Sequence, residues 1–454
     1  MRYREEQDSI GAVPVPEDAY YGAQTERARL NFINSGLTWP SDFIQSLAMI
    51  KRFAAEVNQS LDLLDSKCAG AIVESAREVM KGKLSKEFVV DLFQTGSGTS
   101  TNMNMNEVIA GRANEILTGH RGGKRPVHPN DHVNLGQSSN DVIPTAIHIA
   151  VLTGLDRKLI PAMKILWDGL NQKAKAFKNI RKIGRTHLQD AVPIRLGDEF
   201  GGYARQVELA VKRIESTFES LKELALGGTA VGNGLNANPL FAGQVISRVS
   251  EYLGIDFREA ENHFEAQAAK DALVEASGAL RTAAVSLTKI ANDIRWLSSG
   301  PRCGLGEISL PSLQPGSSIM PGKVNPVIPE SLLQIAAQVI GNDTTVMLAG
   351  QGGSFELNTM MPLLAHNLMQ SIHLMDLGVR SFAEKCIKGI TANKETCESY
   401  VDKSLAIATY LVPALGYDQA AAVSKKAHET GRRIREVVVE EGIMSGEVFD
   451  ALLG

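Results

Sequence analysis

The feature that most constrains this chain is an unbroken helical repeat between about Ala268 and Leu297. Leu273, Ala276, Leu280, Ala284, Leu287, Ile290, Ile294 and Leu297 recur every three or four residues, which places them on one stripe of a helix. The pattern predicts a helix of roughly 30 residues, against a usual length of about 11 or 12. Such a stripe stays wet unless neighbours of similar length cover it, so a bundle is expected. Comparable periodicity runs from about Pro144 to Phe177, from Gly197 to Leu226, from Pro329 to Ala349 and again after Pro362. Many stripe positions are alanine or glycine, as in GGYARQVELAV, and small residues let helix axes approach closely. Alternating strand patterns are hard to find. The expected fold class is therefore all-α, with a central bundle of long helices. A bundle that buries more when copies align also favours an oligomer.

Charge and cysteine usage narrow the function. Lysine plus arginine number 47 and aspartate plus glutamate 51, for a net charge of -4. The basic residues are scattered, so the footprint of a nucleic-acid binder is missing. Neither a signal peptide nor a bilayer-spanning run is expected, and the cytoplasm is the expected compartment. Cys68, Cys303, Cys386 and Cys397 are far apart and form no CxxC, which predicts free thiols rather than a zinc site or disulfide framework.

The helices are separated by polar, glycine-rich breaks at Phe93 to Glu107, Val127 to Asp141, Gly184 to Asp190, Gly227 to Pro239 and Gln314 to Pro326. Sites on helical scaffolds sit in such loops. TGSGTS lacks the Lys-Ser/Thr of a phosphate loop and no strand precedes it. His128 and His132 are spaced as a helical metal pair, but Pro129 and Asn130 intervene and no HExxH glutamate follows, so no metal site is expected. No Gly-x-Ser-x-Gly elbow supports acyl transfer. What remains is a kit of hydroxyls, amides, a histidine and a lysine, suited to binding carboxylates and moving protons. In QPGSSIMPGKVNP, Gly316 and Gly322 allow backbone N–H groups to converge, while Pro315 and Pro321 stiffen the loop. With Lys323 nearby, a serine there loses its proton more easily; the plainer reading is a helix cap by Ser317 or Ser318. Asn102, Asn104 and Asn106 read as residues that cap and start the next helix, with Met103 and Met105 in the core.

GSSIMPGKVNP, TGSGTSTNMNMNEV, HPNDHVN, QSSND and GRTHLQDAVP together resemble, in order, the blocks of the fumarase/aspartase superfamily. The similarity runs from DAYYGAQT at Asp18 to ETGRRIREVV ending at Val438. It implies an all-α, three-domain homotetramer whose active sites are each built from loops of three subunits. The corresponding segments are 1–135, mostly helical; 136–383, the long-helix bundle; and 384–454, a small helical domain. Carried over by position, Ser317 is the general base that removes the C3 proton, and Lys323 and Asn325 hold the aci-carboxylate intermediate. Thr186, Ser138 and Ser139 match carboxylate-binding positions. Thr99, Asn140 and His187 match those that hold the leaving group, and Glu330 matches the acid that partners His187. Arg125, His128, Asn130 and Asp131 resemble a second carboxylate site. The family needs neither metal nor organic cofactor.

Within the family, TGSGT with Ser97, the pair Ser138-Ser139 before Asn140, and His128 follow the fumarase form, and Ser97 supplies a hydroxyl for a leaving water. KVNPVIPE and CIKGITANKETCESYV look more like aspartase, and Asn233 stands where threonine is usual. The expectation is reversible hydration of fumarate to (S)-malate, with aspartate ammonia-lyase as the alternative. A catalytically silent structural homologue would be expected to have lost site residues, whereas all those matched are present.

Overall fold

The computed structural model describes residues 2–453. An N-terminal hairpin of β1 (Tyr3–Asp8) and β2 (Gly11–Pro16) is followed by α1 (Ala23–Asn31), α2 (Ser41–Ser60), α3 (Ser66–Met80) and α4 (Thr99–Thr118). Next come α5 (Ser139–Gly154), a π-helical turn at Leu155–Leu159 and α6 (Ile160–Ala176). A second hairpin, β3 (Arg181–Thr186) with β4 (Gln189–Arg195), leads into α7 (Leu196–Ser216) and the short α8 (Phe218–Leu221). The chain continues through α9 (Phe241–Leu253), α10 (His263–Ala268), α11 (Asp271–Leu297), α12 (Val327–Gly350) and α13 (Met361–Lys385). It closes with α14 (Lys394–Lys403), α15 (Val412–Leu415), α16 (Tyr417–Thr430), α17 (Ile434–Glu440) and α18 (Gly446–Leu453).

The stripe that opened the sequence reading lies on α11, 27 residues long, and all eight of its members are buried. Two helix boundaries differ from expectation. The helix expected from Pro144 begins at Ser139, because Ser138 and Asp141 form a capping box ahead of it, and Pro144 lies inside. The helix expected to reach Leu226 stops at Ser216: buried Thr217 turns its hydroxyl back onto the Ile214 carbonyl at 2.8 Å, offering the backbone an alternative to the next helical bond.

By compactness the chain divides into two units that interleave in sequence. One comprises the chain up to Pro161, Lys212–Ala284 and Ala336–Asp376; the other comprises Ala162–Val211, Val285–Ile335 and the chain from Leu377. The three-segment division follows chain order instead and stays a proposal. In the first unit, α2 packs on α3, α5 and α9, and α4 packs on α3 and α5. In the second, Val401, Leu411, Val437, Val438 and Phe449 of the C-terminal segment form a core with Ile183 of β3, which anchors the root of the second hairpin. Cys68, Cys386 and Cys397 are buried, Cys303 is exposed, and all four are free thiols. Among the described residues no helix is long and apolar enough to cross a membrane.

Candidate active site

In the first unit the TGSGT turn delivers Ser97 and Thr99 to the N-terminus of α4, with their hydroxyls 2.9 Å apart and Thr95 a further 3.5 Å from Ser97. The turn requires a residue without a side chain at Gly96, where a Cβ would stand 1.6 Å from the Thr359 carbonyl oxygen. Ser138, Ser139 and Asn140 occupy the N-terminus of α5. The helix dipole favours an anion at such ends. Asn102 links the two: its amide donates to Ser139 Oγ at 3.0 Å and to Asn134 Oδ1 at 3.1 Å. Since Ser139 already accepts this bond, its own proton is left to donate. Asn102, Asn104 and Asn106 are therefore buried inside α4 rather than capping it, while Met103 and Met105 are core residues as expected.

Two charged residues beneath this turn escaped the sequence reading. Lys51 of α2 is fully buried and donates to Asn134 Oδ1 and Gln137 Oε1, both at 2.9 Å. Burial pushes its ammonium down to about 7, opposed by the Asp141 carboxylate. Asp141, also fully buried, accepts from the backbone N–H groups of Ser138 at 2.9 Å, Gly227 at 3.2 Å and Thr229 at 3.0 Å. Burial pushes its carboxyl up to about 6, against the pull of those three donors and Lys51. Asn140 adds a bond from Nδ2 to the Ala230 carbonyl at 2.8 Å. The Ser138–Asn140 turn is thus clamped to the 227–230 loop through one carboxylate. The Ser-x-x-Asp spacing was a readable signal for Asp141; Lys51 had none, since a lone lysine in a helix usually marks its wet face.

His128, from the proposed second carboxylate site, caps the turn Pro129–Val133: its Nδ1 accepts from Asn130 N and Asp131 N, each at 3.2 Å. Those donors fix the neutral tautomer with the proton on Nε2. Desolvation holds the imidazole below its usual range, opposed by Asp131. Arg125, Asn130 and Asp131 are exposed.

In the second unit Thr186 and His187 sit at the tip of the β3–β4 hairpin, both exposed. Thr186 pairs with Gln189, leaving His187 and Leu188 as a two-residue turn with φ of 56° and 60°. Asn-Gly is the usual choice there; a bulky residue at positive φ costs about 1–3 kcal/mol. The root is held by buried Glu307, which receives Arg185 at 2.8 and 3.2 Å and Lys182 at 3.4 Å. No hydrogen bond or ion pair joins His187 to Glu330 within the described chain.

Ser317 Oγ accepts from Ile319 N at 3.2 Å and from Met320 N at 2.9 Å. Two successive N–H groups thus meet on this oxygen in a local turn, a geometry common to the base reading and to the capping alternative. The loop closes on itself: Gly316 N donates to the Lys323 carbonyl and Asn325 Nδ2 to the Gly316 carbonyl, both at 2.7 Å. A Cβ at Gly316 would lie 2.6 Å from the Lys323 oxygen. Lys323, Asn325 and Glu330 line one cavity of about 610 Å³ together with Arg295, an arrangement able to hold a carboxylate.

A family model described as "Lyase" matches residues 11–341, and one described as "Fumarase C C-terminus" matches residues 407–454. The class II fumarate hydratase of Nitrosomonas europaea is 53% identical over 99% of this chain and 97% of its own. The crystal structure of class II fumarase from Schistosoma mansoni superposes with a TM-score of 0.97 at 43% identity, covering 100% of this chain and 98% of the other. A fumarate lyase/delta crystallin structure from Brucella melitensis gives 0.95 at 45% identity, over 99% and 98% of the two chains.

Proposed function

This chain belongs to the lyase family that includes the class II fumarate hydratases, and from that membership we propose that it interconverts fumarate and (S)-malate. Ser317 Oγ takes the C3 proton of malate. The electron pair passes into the adjoining carboxylate, giving an aci-carboxylate dianion that Lys323 and Asn325 hold. Charge of this kind is where preorganised donors lower a barrier most. The C2–O bond then breaks, and water leaves against Ser97, Thr99 and Asn140, with His187, tuned by Glu330, supplying the proton. Thr186, Ser138 and Ser139 bind the carboxylate. Stabilisation of the Ser317 alkoxide by two N–H donors supports its role, since hydrogen bonds to a charged group contribute about 1.5–3 kcal/mol each. Exposure of the hairpin tip, with His187 unpaired to Glu330 in its own chain, supports a homotetramer in which other subunits complete each site. Arg125, His128, Asn130 and Asp131 form a second carboxylate site in this reading.

The observation that carries water rather than ammonia as the leaving group is the 2.9 Å contact of the Ser97 and Thr99 hydroxyls. Such a pair can both donate to and accept from water. Incubation with fumarate and ammonium chloride in deuterated water, followed by proton NMR, is expected to give malate carrying one C3 deuterium as a single diastereomer. Accumulation of aspartate instead would move the assignment to the ammonia-lyase.

A further inference from the structure

A cavity of about 670 Å³ opens in the first unit between α2, the end of α3, the π-helical turn Leu155–Leu159 and the end of α9. Arg52, Arg77, Lys81, Arg157 and Lys158 line it, against a single lining carboxylate, Asp42. The chain as a whole has a net charge of -4, so this local excess of cations is not its average composition. Part of the charge is internally matched: Lys158 meets Asp42 at 2.6 Å, and Arg52 meets Glu56 at 3.0 Å. Arg77 reaches Glu56 only at 4.0 Å, and the Arg157 guanidinium donates to the Leu253 carbonyl, which leaves its charge uncompensated. Lys81 is exposed. One further feature points to a ligand. Arg157 and Lys158 sit on the π-helical turn, a local irregularity that recurs at functional sites because it re-aims side chains. The other wall is apolar, from Met49, Met80 and Tyr252, with the Arg52 guanidinium 5.4 Å from the Tyr252 ring centre.

We propose that this cavity binds a small organic anion bearing two or more phosphate or carboxylate groups, with Arg77, Lys81 and Arg157 on the charged groups and Tyr252 against the body. Guanidinium forks suit both groups, and exposed cations make such binding salt-sensitive. None of these residues takes part in the proposed chemistry, so the site is separate from the dicarboxylate turn.

The test is calorimetric titration of the full-length protein, saturated with fumarate to fill the active site, using pyrophosphate in one arm and citrate in the other. The tighter arm identifies the charged group. The expected result is binding that weakens with salt and falls at least tenfold in Arg77→Glu/Arg157→Glu, while malate turnover stays within twofold of wild type. No binding of either probe, or affinity unchanged in the double variant, overturns the proposal. So does a lowered melting temperature with unchanged affinity, which would make these cations helix-end stabilisers only.

Discussion

Ser317→Ala is expected to lower malate turnover by about 10²–10⁴-fold, the contribution of a positioned general base, while the melting temperature stays close to that of wild type. The two effects separate because of where the hydroxyl sits. Its oxygen accepts from Ile319 N and Met320 N in an exposed loop. Water replaces that oxygen for both donors, so the change in stability is within about 0.5 kcal/mol. Nothing replaces it as the acceptor for the C3 proton. Fumarate absorbance measures the turnover and a thermal melt the fold. Retention of more than a third of wild-type activity would remove Ser317 from the base role and leave the capping reading.

Asp141→Asn is expected to cost both stability and activity. The carboxylate offers one oxygen to Ser138 N and the other to the Gly227 and Thr229 N–H groups. Asparagine keeps only one acceptor, and its NH2 must then face a backbone donor. Burying an unsatisfied donor costs about 1–3 kcal/mol, and Lys51 loses its buried counter-charge as well. The Ser138–Asn140 turn relaxes away from the 227–230 loop, so kcat/KM is expected to fall by up to about a hundredfold, the cost of a misplacement of about 1 Å, together with a lower melting temperature. Wild-type values of both would show that the clamp does not position the turn.

What the sequence made legible was whatever is written locally. The α11 stripe is a periodicity within one helix, and all eight members are buried. The Gln314–Pro326 loop declares itself through prolines and glycines around a serine and a lysine, and the structure closes that loop on itself through Gly316, Lys323 and Asn325. What was not legible depends on partners distant in the chain. The β3–β4 hairpin shows no alternation, because Lys182 is buried on an ion pair with Glu307 and Gly184 is buried beside it, which breaks the period of two. Lys51 meets Asn134 and Gln137, and Asn102 meets Ser139, across separations that no motif records. Asn102 was legible as a residue of interest but not as a bridge, since a polar residue near a helix start reads first as a cap.

The central claim is that water, not ammonia, leaves C2. Steady-state kcat/KM for (S)-malate and for L-aspartate, measured on one preparation by the appearance of fumarate, tests it most directly. A site with hydroxyls arranged for water is expected to favour malate by a factor of about 10⁴ or more, the order by which a site built to hydrogen-bond one group rejects a substrate that lacks it. Faster fumarate formation from aspartate would contradict the claim and make this chain an ammonia-lyase.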